Sequence, residues 1–213
     1  LKGLRKGRLR VALVTTAKYF LPRMLGNFCR RYPDIDIELE VANRARIVER
    51  LRANEDDLYI MSFPPEELDV VARPFLDNPL VVIAPVDYPL PAGPLTLADL
   101  VAHPFLLREA GTRRAIDRHL LKSGHALNVK LSLGSNEAIR DLVATGMGLA
   151  ILSRHVLGES PAQSGIRILE VEGFPLRQPW SVVHLRQKIL SLPARAFMDE
   201  LLPALDGGAP VSV

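Results

Sequence analysis

The chain has 213 residues, 48% of them hydrophobic and 24% charged, with a net charge of +3. That balance excludes a disordered tail, and the longest apolar stretch, around Leu80–Val86, is far short of the ~20 residues a membrane span needs. The single cysteine, Cys29, excludes an internal disulfide and a multi-cysteine zinc site. Basic residues crowd the start (Lys2, Arg5, Lys6, Arg8 and Arg10, with no acid among them), which leaves the rest slightly acidic. The basic character therefore does not mark the body as a nucleic-acid binder. The start reads as the remnant of a linker, so the chain is expected to be a fragment. No apolar signal-peptide core follows it, and with the lone cysteine this points to the reducing cytoplasm.

Leu9–Val14 is a short β-branched apolar run and reads as a strand. Thr15 and Thr16 then offer a helix N-cap. Leu21, Leu25, Phe28, Cys29 and Tyr32 form one helical stripe, with a kink or restart expected at Pro22 and a stop at Pro33. On that stripe Cys29 reads as a buried, inert thiol. Asp36–Val41 alternates as a half-buried strand. Asn43 caps a helix whose inner side is Ile47, Val48 and Leu51. Leu58–Met61, Val70–Phe75 and Leu80–Ala84 read as three further strands. The acidic triplet Glu55-Asp56-Asp57 between the helix and the first of these reads as a solvated or capping turn.

After the Pro/Gly punctuation of Leu90–Pro94 the rhythm restarts. A short helix at Leu97–Val101 leads to a strand at Phe105–Leu107 and a helix at Thr112–Ser123. A strand at Val129–Leu133 precedes a helix capped at Ser135-Asn136, and Leu149–Leu152 is a strand. Trp180–Leu185 is the last strand. Ala194, Phe197, Met198, Leu201, Leu202 and Leu205 mark an amphipathic final helix, stopped by Gly207-Gly208. Two alternating α/β runs predict two doubly wound α/β subdomains.

Three strand-to-helix turns present backbone N–H groups and small hydroxyls: Thr15-Thr16-Ala17, Gly111-Thr112-Arg113 and Ser135-Asn136-Glu137. A helix N-terminus is positively polarised, and ligands of open α/β sheets bind beyond the carboxyl ends of the strands. Lys18, Arg108 and Arg113 stand ready to neutralise an acidic ligand, Arg113 best because a guanidinium matches carboxylate or phosphate geometry. Simple helix capping is the plain alternative for any one turn. His103, His119, His125, His155 and His184 have no metal-ligand spacing and read as surface or satisfied histidines. No GxSxG or Walker loop and no nucleophile–base pair appears, so the chain is not expected to be an enzyme, and no metal or cofactor is expected.

Gly7–Leu39, Ala53–Met61, Leu80–Leu90 and above all Gly134–Ser153 (GSNEAIRDLVATGMGLAILS) resemble the effector-binding domain of LysR-type transcriptional regulators. The similarity covers essentially the whole chain. TTAKYFLPRMLGNF, Asn43-Arg44 and NEDDLYIMSFPPE at Asn54–Glu66 look most like regulators of Calvin-cycle (RuBisCO) operons.

The resemblance implies a periplasmic-binding-protein-like (type II) fold. Residues 1–7 would be a linker remnant, 8–81 plus 184–206 the first subdomain, 82–183 the second, and 207–213 a flexible tail. Two crossing strands, near Leu80–Ala84 and Trp180–Leu185, would join the subdomains. It implies an effector cleft lined by Thr15, Thr16, Lys18, Met61, Ser62 and Phe63 of the first subdomain. From the second would come Arg108, Thr112, Arg113, Ser135, Asn136 and Glu137. The effector would be a small anionic metabolite: a phosphorylated sugar or acid, or NADPH. REAGTRR at Arg108–Arg114 looks about two residues shorter than the Gly-Ser-Gly-Thr-Arg turn common in the family, which changes the anion that fits. The resemblance also implies a homodimer or homotetramer, with Leu21–Tyr32 of one copy against Thr112–Ser123 of another. DNA would be read by an N-terminal winged helix-turn-helix outside this chain. A solute-binding protein of the transport class shares the architecture and is the alternative. An enzyme on the same two-lobed fold and a ligand-free oligomerisation module are the further competitors.

Overall fold

The computed structural model describes residues 6–109 and 111–202. Most of the expected linker remnant, the tail at 207–213, Leu205 and the Gly207-Gly208 stop lie outside the described residues. In chain order the first half holds β1 (Gly7–Val14), a 3-10 turn (Thr15–Tyr19), α1 (Leu21–Arg31), β2 (Ile35–Ala42), α2 (Arg44–Arg52), β3 (Leu58–Met61), β4 (Val70–Leu76) and β5 (Pro79–Pro85). Then come α3 (Leu97–Leu100), β6 (Pro104–Arg108), α4 (Gly111–Ser123), β7 (Asn128–Leu133), α5 (Asn136–Ala144) and β8 (Leu149–Ser153). The chain ends with β9 (Ile166–Ile168), β10 (Leu176–Arg177), β11 (Trp180–Leu185) and α6 (Leu192–Leu201).

The chain forms two compact units, one of residues up to Asp77 and from Pro179 onward, the other Asn78–Gln178. The resemblance puts the divisions after Val81 and Val183. They fall a few residues earlier because each expected crossing strand belongs wholly to one sheet, β5 to the second unit and β11 to the first.

The first unit has a sheet of order β2-β1-β3-β11-β4. β1 pairs in parallel with β2 and β3, and the returning β11 runs antiparallel between β3 and β4. Alternation along the strands divides the core. Leu9, Val11, Leu13, Leu58, Ile60 and Val182 face α1 and α6, where Phe28 meets Phe197 edge-on at 5.3 Å. Ala12, Tyr59, Met61 and Val183 face Ile47 and Leu51 of α2. The second unit has the order β10-β5-β8-β6-β7, with β9 also on β5. β6 is parallel to β7 and β8, while β5 is antiparallel to β8. Both sheets are therefore mixed, where α/β alternation alone predicts parallel ones: a strand that returns from the other unit enters in the opposite direction. β9 and β10 escape the sequence reading because two or three residues show no periodicity.

Three local expectations change. The threonines do not cap α1. They lie in a separate 3-10 turn, and α1 starts afresh with Pro22 in its first turn, where its missing N–H costs nothing. Cys29 is only half-buried, because Leu21, Leu25 and Phe28 take the inward positions of α1. The acidic triplet is a bonded knot. Asp56 is buried and bidentate to Arg50 at 2.8 Å, while Glu55 takes the same guanidinium at 2.8 Å. The Asp56 N–H donates to the Tyr59 hydroxyl, which donates to the Arg50 carbonyl at 2.9 Å. Asp57 accepts the Arg10 N–H at 2.8 Å. These bonds tie the end of α2 to β1 and β3.

Candidate functional site

In the second unit, β6 and β7 run side by side and end together, Arg108 opposite Leu133, with the Glu109 N–H donating to the Leu133 carbonyl at 3.0 Å. α4 and α5 start from those adjacent ends. This brings Arg108, Thr112 and Arg113 beside Ser135, Asn136 and Glu137. Arg108 is buried at the strand end. The first turn of α4 holds Thr112 and Arg113 and no acid. Arg113 Nε is 2.7 Å from Asp117 one turn on, so the guanidinium favoured by sequence for an anion is engaged along its own helix. Ser135 caps α5 by accepting the Ala138 N–H at 3.2 Å. Asn136 is buried, and Glu137 supplies the acid that complements the positive end of α5. The α4 end is thus the more anion-attracting of the two. Ala110, inside the expected short loop, lies outside the described residues.

In the first unit, β1 and β3 are parallel neighbours, so Thr15, Thr16 and Lys18 follow one strand end while Met61, Ser62 and Phe63 close the other. Thr16 and Ser62 are buried, and Lys18 Nζ lies 5.3 Å from the Tyr19 ring centroid. Met61 is fully buried in the α2-side core, so it shapes the strand end from beneath. The sequence reading misses Arg44. Its guanidinium donates to the Phe63 carbonyl at 2.9 Å and fixes the strand end. Its place just after the Asn43 N-cap is the one sequence feature that could have marked it. Among the described residues, no group of three or more His, Cys, Asp or Glu is placed to hold a metal. No helix among them is long and apolar enough to cross a membrane.

Each unit thus gathers hydroxyls, backbone N–H groups and a cation at the carboxyl ends of its parallel strands. The sequence also matches the LysR substrate binding domain over residues 2–206. The chain belongs to that family. As a LysR substrate-binding domain it is 44% identical over 204 residues to the HTH-type transcriptional activator CmpR of Synechocystis, covering 94% of this chain and 67% of that protein. It is 43% identical over 214 residues to a RuBisCO operon transcriptional regulator of Acidithiobacillus ferrooxidans, covering 98% and 68%. The domain spans about two thirds of the length of these relatives. The regulatory domain of Synechocystis CcmR, solved in complex with 2-PG, matches with a TM-score of 0.88 and 45% identity over 93% of this chain and 97% of that one. The fold is the periplasmic-binding-protein-like type II fold of LysR effector-binding domains, and the relatives are regulators of transcription, not transport receptors.

Proposed function

We propose that this domain senses a small phosphorylated acid and passes the signal to a DNA-reading head, in a cytoplasmic regulator of carbon-fixation (RuBisCO) operons. The observation that carries the reading is the 2-PG complex of the CcmR regulatory domain, 45% identical over 93% of this chain. The ligand's phosphate is assigned to the acid-free start of α4, with Thr112, Arg113 and Arg108. Its other end meets Ser135, Asn136 and Glu137 of the same unit. The ligand shifts the regulator only by its difference in affinity between two arrangements of the protein. The reading head is a winged helix-turn-helix in the third of the relatives' length that this chain does not cover.

The working form is a homodimer or a homotetramer, α1 of one copy lying against α4 of another. The exposed apolar residues on the outer strands support that pairing: Leu39 and Val41 on β2, Val129 and Leu131 on β7, and Leu121 on α4, which is 84% exposed.

Thermal unfolding tests the sensor. The panel is 2-phosphoglycolate, phosphoglycerate, phosphoenolpyruvate, ribulose bisphosphate, NADPH and inorganic phosphate. A ligand at 100 times its Kd stabilises by about 2.7 kcal/mol if it binds only the folded state. One phosphorylated acid is expected to exceed inorganic phosphate, and Arg108→Ala to abolish its shift. A flat response across the panel sinks the phosphorylated effector.

A further inference from the structure

A hollow of about 450 Å³ opens on the first unit, lined by His184, Lys188, Leu190, Arg195, Met198 and Asp199. It lies at the far end of the sheet from Thr15 and Ser62. β11 runs antiparallel to β3, so its last residues, His184 included, lie beside the start of β3 rather than its carboxyl end. The hollow is of small-ligand size.

His184 is only 8% exposed and shares the face of β11 that Val182 turns to α6. Its Nδ1 is 2.8 Å from the Leu185 carbonyl, which can only accept. Nδ1 therefore carries the proton, and in the neutral ring Nε2 is an acceptor with no protein partner among the described residues. Lys188 Nζ donates to Asn54 Oδ1 at 2.9 Å and to the Asp56 carbonyl, which leaves one N–H for a ligand. Burial holds its pKa below the usual lysine range. Arg195 and Asp199 stand one turn apart on α6, and among the described residues no ion pair joins them. Leu190 and Met198 supply apolar wall.

We propose that this hollow binds a free α-amino acid with an apolar side chain. The ligand's carboxylate pairs with Arg195 and the remaining Lys188 N–H. Its ammonium donates to Asp199 and to His184 Nε2. Its side chain covers Leu190 and Met198. A zwitterion answers both charges on α6, whereas a simple acid faces Asp199 and a simple amine faces Arg195.

The test is calorimetric titration of the chain with L-leucine, against 4-methylpentanoate (no ammonium) and isopentylamine (no carboxylate). Saturable leucine binding is expected, with each truncated analogue weaker by roughly tenfold or more. Arg195→Ala and Asp199→Asn, both at exposed positions, are expected to weaken leucine by a similar factor. Neither is expected to alter the melting temperature or the response to phosphorylated acids. No saturable binding up to about 10 mM, equal binding of either analogue, or binding unchanged in both variants overturns the proposal.

Discussion

At the scale of single residues, a buried carboxylate sits beside α2. Asp56 is 4% exposed and held by Arg50, whose guanidinium the paired carboxylate keeps protonated far above any working pH. Removing Asp56 leaves the half-buried Arg50 guanidinium to Glu55 alone. Asp56→Ala is therefore expected to cost about 1.5–3 kcal/mol in urea unfolding, the range for hydrogen bonds to a charged group. Burial pushes the neighbouring Tyr59 hydroxyl up to about 12 from its ordinary value of 10.0. A raised folded-state pKa means the protonated form is favoured by folding. The stability it brings is whole below pH 10.0 and is lost as pH rises through about 12. The wild type is expected to exceed Tyr59→Phe by roughly 1–3 kcal/mol near neutrality, with the gap closing over that alkaline window. A constant gap across it contradicts the assignment. The acids of this knot are legible in the sequence, but their burial is not: a triplet after a helix looks the same whether water or Arg50 receives it.

At the scale of elements, the periodic helices and apolar strands lie close to where the residues predict them. The stripe of α1 puts Leu21, Leu25 and Phe28 inward, and Asn43 and Ser135 cap their helices. The exceptions turn on neighbours. Thr15 and Thr16 have good capping chemistry, yet the backbone after β1 closes into a 3-10 turn and α1 starts only at Leu21, with Phe20 in the cap position. Gly146-Met147-Gly148 reads as a helix stop, and Gly146 at φ 91° serves as one. Gly148 has a different duty. A Cβ there would lie 2.4 Å from the Pro104 carbonyl oxygen at the start of β6. Gly148→Ala must push two backbones apart, and a loss of about 1–3 kcal/mol is expected by thermal unfolding. A neutral result would show that β6 and β8 yield more easily than their packing implies.

At the scale of the whole molecule, the prediction concerns assembly. Leu121→Glu places a charge where the proposed second copy buries leucine. Analytical ultracentrifugation is expected to show the variant as monomer at concentrations where the wild type is dimer, with the fold unaltered because the side chain is already exposed. A variant that still dimerises moves the interface elsewhere.

By themselves the residues determine the two α/β rhythms, the inward face of each helix and the family. These rest on local periodicity and on motifs contiguous in the chain, such as Gly134–Ser153. They also determine the small hydroxyls and cations that follow each strand. Only the tertiary structure decides which strand ends adjoin, because parallel pairing of β6 with β7 is a contact between distant segments. It alone shows Arg113 turned to Asp117, Met61 beneath the strand end and Arg44 holding Phe63. It alone brings His184 at the end of β11 to Arg195 and Asp199 on α6 around one hollow. Burial and partnership depend on what the rest of the chain places nearby, which no short window of sequence contains.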